Sequence, residues 1–235
     1  MKVKLENSLA FLEINSNGAY VDNYEVKGEP IFFPKVMVKI GEELKVRGGM
    51  HICAPNFAYD NIYNKLPNHG FARDLDWQII ENGDNIVKLS LDGLGLYQGF
   101  KFFLTYRLDR ANLFARLSII NQSDEPREVA PGFHPYFYVD KKPIILNNID
   151  IKDEDLPNSV FKRSKSQKFL VNGKDVEIIG HSNINEFVFW TDFMGDYICV
   201  EPTYNQMAFA DENRDCYMLD INECFCQEIE IRIDI

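Results

Sequence analysis

Hydrophobic and polar positions alternate along most of this chain with a period near two, and no segment sustains a 3.6-residue period beyond one or two turns. In the run Leu113–Ile120, Leu113, Ala115, Leu117 and Ile119 share one apolar face, while Arg116 and Ser118 occupy the other. With Phe100–Leu108 and the link Asp109-Arg110-Ala111-Asn112, this pattern predicts a hairpin. The closing run Ile229-Glu230-Ile231-Arg232-Ile233-Asp234 alternates strictly, with its isoleucines directed inward. Leu9–Ile14 and Ala19–Val26 flank the turn cluster Asn15-Ser16-Asn17-Gly18, and Asp76–Glu81 and Asn85–Asp92 flank Asn82-Gly83-Asp84. Gly28-Glu29-Pro30 reads as a turn. Ile31–Ile40 is strand-like with a break at Pro34, and Gly41-Glu42-Glu43 leads on to Arg47. Phe133–Tyr138 follows a bend as an aromatic strand, and Phe187–Trp190 and Tyr197–Val200 read as core strands around a second turn. Residues 141–180 have short apolar runs among charge, Asn and Ser. They read as a surface-lying insertion carrying two or three strands, such as Val176–Ile179. Many short strands at fairly even spacing, without repeats or an obvious linker, predict an all-β sandwich in a single domain over residues 1–235.

Composition narrows the classes of function. The 18 Phe and 11 Tyr supply a large core and favour pleated structure. No apolar run approaches the ~20 residues of a membrane span. The first residues lack an apolar signal region, so the expected location is cytoplasmic. A net charge of −11 disfavours nucleic acid and anionic membrane surfaces as partners. It leaves room for a small anionic ligand, because two arginines at short range override the average field. The five cysteines are odd in number and contain no Cys-x-x-Cys pair, so neither a disulfide framework nor a zinc site is indicated. Cys224 and Cys226 should share one face of a strand as ordinary thiols.

Chemistry-bearing residues concentrate in a few places. The segment from Arg47 to Arg73 holds two of the four histidines, His51 and His69, and is rich in Gly and Pro. Gly48, Gly49 and Gly70 mark tight bends that would aim Arg47, His69 and Arg73 at one small ligand. An ion pair with Asp74 or Asp76 is the competing role for Arg73. His51 reads as a packing residue, and His181 as incidental in a polar loop. His134 sits among Pro131, Gly132 and Pro135 and beside Phe133, Tyr136 and Phe137. Burial would hold it neutral near pH 7, and a nearby carboxylate would do the reverse. Tyr197, Cys199 and Glu201 share a strand face, and Pro202 should end pairing just beyond, leaving Glu201 at a strand end. Dinucleotide and phosphate loops, a serine-nucleophile elbow and a His-Glu-x-x-His metal motif are all absent.

Taken together, Arg47-Gly48-Gly49, Asn68-His69-Gly70-Phe71-Ala72-Arg73, Gly132-Phe133-His134-Pro135-Tyr136-Phe137 and Val200-Glu201-Pro202 resemble the aldose 1-epimerases, the galactose mutarotase-like proteins. The Arg-Gly-Gly and His-Gly-Phe-Ala-Arg segments look most like the hexose-6-phosphate mutarotase branch. The resemblance implies a large antiparallel β-sandwich with no metal and no cofactor. It also implies a small-molecule sugar as partner and a monomer or homodimer. It implies Glu201 as general base and His134 as general acid, with His69, Arg47, Asn68 and Arg73 around the sugar. The chain is short for the family. A further substrate-binding aspartate has no clear motif, leaving Asp150, Asp155 and Asp192, and Phe189-Trp190-Thr191-Asp192 stands where that branch has a Trp-Asn-Pro-Trp stretch. The activity implied is interconversion of the α and β anomers of a free hexose or hexose phosphate. The competing expectation is a carbohydrate-binding protein without turnover on the same scaffold. A glycosidase would need a second carboxylate across the scissile bond, and none is identifiable.

Overall fold

The computed structural model describes residues 1–60, 65–139, 144, 146–147, 151–210 and 215–235. Two large antiparallel sheets pack face to face. The first sheet runs, in spatial order, Lys2–Glu6, Ala10–Asn15, Tyr20–Val26, Met50–Cys53, Gly132–Tyr138, Tyr197–Thr203, Glu186–Trp190 and Val160–Arg163. Glu29–Pro30 pairs off this path with Tyr20–Val26. The second runs Leu146–Asn147, Ser166–Val171, Lys174–Ser182, Cys224–Ile233, Asn112–Asn121, Phe100–Asp109, Ile86–Asp92 and Gln78–Asn82. The β-sandwich expected from the alternation is therefore the fold observed.

The core lies between the sheets, and the period-two pattern decides which residues reach it. Leu113, Ala115, Leu117 and Ile119 are buried, as are Ile229, Ile231 and Ile233 on the neighbouring strand. From the first sheet, Ile52, Phe133, Phe137, Phe187, Phe189, Ile198 and Val200 face the same core. The alternate residues of these strands therefore face outward. His51, His134, Tyr136, Trp190, Cys199 and Glu201 all belong to that outward set, which is how a strand built for packing also presents polar groups.

The structure departs from the sequence reading in five places. Glu29–Pro30, read as part of a turn, is a short strand paired with Glu25 and Val26. Ile31–Lys35 is not a strand; it makes only an isolated bridge from Phe32 to Phe137, and pairing begins at Val36. Beyond Gly41, Glu43–Arg47 is itself a strand, forming an exposed hairpin with Val36–Ile40. The described part of 141–180 is not a surface insertion, since its strands extend both main sheets and bury Phe169, Val171, Val176 and Ile178. Polar outward residues on these edge strands mask their half-buried faces in the sequence. Finally, Pro202 does not end its strand: it pairs with Phe187, and the strand continues through Thr203.

Candidate active site

The site grows from an interruption in the ladder between Gly132–Tyr138 and Tyr197–Thr203. Pairs are made at Gly132–Thr203 and again at Tyr136–Cys199, Phe137–Ile198 and Tyr138–Tyr197, but not between. Pro135 and Pro202 fall in the gap, and neither has an N–H to donate. The register on both sides sets His134 opposite Glu201 on the outward face. On either side the row continues, with His51 opposite His134, Val188 opposite Glu201 and Phe161 opposite Val188. One row across five strands thus carries two imidazoles and a carboxylate flanked by apolar groups.

His134 Nε2 stands 3.5 Å from Glu201 Oε1, and the two residues are only 4% and 2% exposed. They form the floor of an open cleft of about 810 Å³ that also reaches His51, His69, Asn68, Arg47 and Arg73. All six residues expected from the sequence therefore meet at one cleft. The glycine bends bring the far ones in. Gly70 has φ +67°, and a Cβ there would come within 2.0 Å of the Ala54 carbonyl oxygen. His69 itself adopts φ +66°, with its backbone N–H donating to the Phe57 carbonyl at 2.9 Å. This places its ring edge-on to His134, 5.1 Å between centroids. Gly48 at φ +89° packs against Pro34 and turns the Arg47 strand over the cleft.

Aromatic groups hold the central imidazole. Tyr136 stacks on His134 at 4.8 Å, and Phe57 lies parallel to it at 6.4 Å. His51, expected to be a packing residue, is buried 4.6 Å from His134 and lines the cleft. Its alternation with Cys53 was legible, but a partner 83 positions away was not. His181 lies outside the cleft and pairs with Glu230 at 3.0 Å. The ion pair weighed for Arg73 is loose, Nε lying 3.9 Å from Asp74.

Of the three candidate aspartates, Asp192 supports the site from behind. Its Oδ2 accepts from Arg47 Nε at 2.9 Å and Nη2 at 2.8 Å, while Tyr197 donates to its Oδ1. Arg47 also lies over the Trp190 ring, 5.2 Å from its centroid. Burial works against the Asp192 carboxylate, yet the hydrogen bonds from Tyr197, the Met194 N–H and Arg47 hold it below its ordinary range. Asp155 is exposed in a short 3-10 segment, Asp153–Asn158, and does not line the cleft. Asp150 lies outside the described residues.

Burial dominates the electrostatics. It pushes the Glu201 carboxyl well up. It pulls His134 well down, helped by the positive charge of His51, His69, Arg73 and Arg47 when these are protonated. His69 falls to about 3 through burial and then the Arg73 charge. The Nδ1 atoms of His134 and His69 are buried without a hydrogen-bond partner among the described residues. Buried polar atoms left unpaired within the protein are the ones expected to meet a ligand. His134, Cys199 and Glu201 bring three potential metal-ligating atoms within 4.8 Å of one another. The Cys199 thiol is pushed well up by burial, so it would have to surrender a strongly held proton to bind an ion.

A profile of the family described as aldose 1-epimerase matches residues 2–166. The chain belongs to the aldose 1-epimerase family. A comparison with curated proteins gave no significant match. Among solved structures, a protein from Synechocystis sp. PCC 6803 superposes with a TM-score of 0.79 at 23% identity, covering 100% of this chain and 96% of the other. A galactose mutarotase related enzyme from Lactobacillus acidophilus gives 0.77 at 16%, covering 100% and 98%. A galactose mutarotase-like protein from Lactobacillus casei gives 0.77 at 15%, covering 100% of both chains. At such identities the superpositions speak for the sandwich alone, and the family match carries the assignment. Among the described residues no helix is long and apolar enough to cross a membrane.

Proposed function

We propose that this aldose 1-epimerase family member interconverts the α and β anomers of a sugar, with Glu201 and His134 as its proton-transfer pair. The observation that carries the reading is the facing of these two residues across the proline-interrupted ladder, 3.5 Å apart at the floor of an open cleft. Opening a cyclic hemiacetal removes the proton from the C1 hydroxyl and adds one to the ring oxygen as the C1–O5 bond breaks. Glu201 takes the first proton while His134 gives the second. Rotation about C1–C2 exposes the other face of the aldehyde, and reclosure returns both protons with the roles reversed.

The electrostatics suit this cycle. The pair holds one proton throughout, either as carboxylate with imidazolium or as carboxylic acid with neutral imidazole. Burial favours the second form, by raising Glu201 and lowering His134. That is the form facing the open-chain aldehyde, ready to close on either side. Hydrogen bonds from the sugar's hydroxyls offset the cost of the charged form needed for opening. His69, held neutral, donates to a sugar oxygen without titrating, and Tyr136 and Phe57 offer apolar surface to the sugar's C–H face.

The cleft entrance favours a sugar bearing an anionic group. Among the described residues Lys35, Lys45, Arg47 and Arg73 line it, against the single exposed carboxylate of Asp74, although the whole chain carries −11. Arg73 is the least committed of the four, and its guanidinium can take a phosphate in a two-point contact. Polarimetry on freshly dissolved α-glucose, α-galactose and α-glucose 6-phosphate, with and without protein, tests both levels. Acceleration greatest for the phosphate supports the full reading. Equal acceleration of all three removes the anionic preference and keeps the epimerase. Binding of sugar with equilibration no faster than in buffer would leave a carbohydrate-binding protein instead.

A further inference from the structure

Cys224 and Cys226 lie on the outward face of the second sheet, away from the cleft. Their sulfurs are 3.6 Å apart. Ser118 pairs with Cys226 across the strands, and its Oγ lies 3.4 Å from Cys226 Sγ. Arg116, two pairs further along on the same face, donates from Nη2 to the same sulfur at 3.4 Å. Its other nitrogen, Nη1, is only loosely held by Glu228 at 3.8 Å. A guanidinium and a hydroxyl thus converge on one thiol while a second thiol waits beside it. We propose that Cys226 is a nucleophilic thiol that reduces hydroperoxides, with Cys224 resolving the product as a disulfide.

The charged groups facing Cys226 are Arg116 on the neighbouring strand, Glu228 next along its own strand face, and Glu223 beside Cys224. Arg116 is the cation among them and the group in direct contact. Burial opposes the Cys226 thiolate, but the contacts from Ser118 and Arg116 outweigh it and lower the thiol. Cys224 moves the other way, up to about 11, through burial and then its bond to Cys226. The pair is therefore asymmetric: one thiol is primed to attack, and the other stays protonated until needed. Cys224 is exposed and Cys226 half-buried, so a small peroxide can reach them.

In the first step the Cys226 thiolate attacks the terminal peroxide oxygen. An S–O bond forms and the O–O bond breaks, and the departing alkoxide or hydroxide takes a proton from solvent. In the second step Cys224 loses its proton and attacks the sulfenic sulfur. The S–S bond forms, the S–O bond breaks, and hydroxide leaves as water. Two electrons pass from the dithiol to the hydroperoxide. Residues i and i+2 of a strand have Cα atoms roughly 6.4–6.8 Å apart, at the wide end of what a disulfide spans, so this one is strained and readily reopened by a dithiol reductant.

The test treats the protein at pH 7 with limiting hydrogen peroxide and maps the products by peptide mass. The expected result is loss of two mass units across residues 224–226, reversed by dithiothreitol. C224S should accumulate a dimedone-trapped sulfenic acid at Cys226, and R116M should slow the reaction about tenfold by removing the cation that favours the thiolate. The proposal is overturned if Cys226 reacts no faster than Cys216, if R116M reacts at the wild-type rate, or if Cys226 passes directly to sulfinate with Cys224 intact. Because the readout is sulfur chemistry, it is independent of any sugar activity.

Discussion

The two sheets carry the same alternation on opposite sides of one core, yet their outward faces behave as different materials. On the first sheet, loops bearing Phe57, His69 and the Arg47 hairpin roof the outward row, so His51, His134 and Glu201 are almost completely buried. On the second, most of the outward row meets water, Glu230 being the buried exception. There Arg116, Lys88, Lys101 and Arg107 find carboxylate partners within 4 Å at half-exposed positions. The lesson is that strand pattern decides inside from outside, while the cover over the outer face decides how far its carboxylates and imidazoles are pushed from their charged forms. Under the roof, burial pushes the Glu201 carboxyl toward its neutral form.

The sharpest way to break this contrast is to remove the proposed proton carrier from the roofed face. E201Q keeps the shape and leaves His134 a neighbour of similar size, so the fold should survive. The rate of anomer equilibration should fall by ~10²–10⁴-fold, the usual worth of a general acid or base. H134Q should fall in the same range, and the double variant little further, because the proposed mechanism joins the two groups in one proton relay. Full acceleration by E201Q in polarimetry would remove Glu201 as the base.

The second effect reads the roof through stability. His51, His134 and His69 have folded values lowered from 6.5, and each contributes stability that is present above 6.5 and lost as pH falls. Glu201 is raised from 4.5 in the fold, so its contribution is lost as pH rises above 4.5 and recovered as pH falls. Between those limits the unfolded chain takes up protons on three histidines that the fold holds neutral, against one proton that the fold holds more firmly on Glu201. The histidines outnumber the carboxyl, so the fold loses stability as pH falls through this range. Urea unfolding at pH 6.0 and 5.0 should show this slope, and H51F should reduce it by about half. A flat profile over that range would mean that the three rings are solvated.

How much of this was legible beforehand follows from the same contrast. The sandwich could be read because alternation is a local signal, plain in Leu113–Ile119 and Ile229–Ile233. Glu201, His134, His69, Asn68, Arg47 and Arg73 could be picked out because proline and glycine neighbours mark where a backbone bends, and because their combination resembles a family. What could not be read is pairing across distance. His51 looked like a packing residue because nothing near it in sequence announces His134 as its cross-strand neighbour. Pro202 looked like a strand end because nothing near it in sequence announces Phe187, its partner on the neighbouring strand. The role of Asp192 depends on Arg47, 145 residues earlier. Residues 141–180 looked loose because half-exposed edge strands carry polar residues on one face and too few apolar ones on the other.

A third, smaller effect tests whether the support behind the cleft matters to binding. D192N keeps the size of the side chain but removes the charge that orients Arg47 over Trp190. Arg47 then loses its charge-assisted contact, and the entrance keeps a cation of poorer aim. The expected outcome is a KM raised about tenfold for an anionic sugar with kcat nearly unchanged, since Asp192 does not reach the proton relay. A loss confined to kcat would place Asp192 in the chemistry.

The smallest effect belongs to the open face and is the control for the others. Lys88 and Glu81 lie 2.5 Å apart on the second sheet, but their side chains are 41% and 43% exposed. Water screens the pair, and holding two long side chains together costs entropy that cancels most of the attraction. K88Q should therefore change unfolding free energy by less than ~0.5 kcal/mol and leave anomer equilibration untouched. The loss of one charge here would be almost silent. A destabilisation above about 1.5 kcal/mol from K88Q would mean that the second sheet's outer face is covered too, most simply by a partner surface. In that case cover would no longer be what separates the two faces.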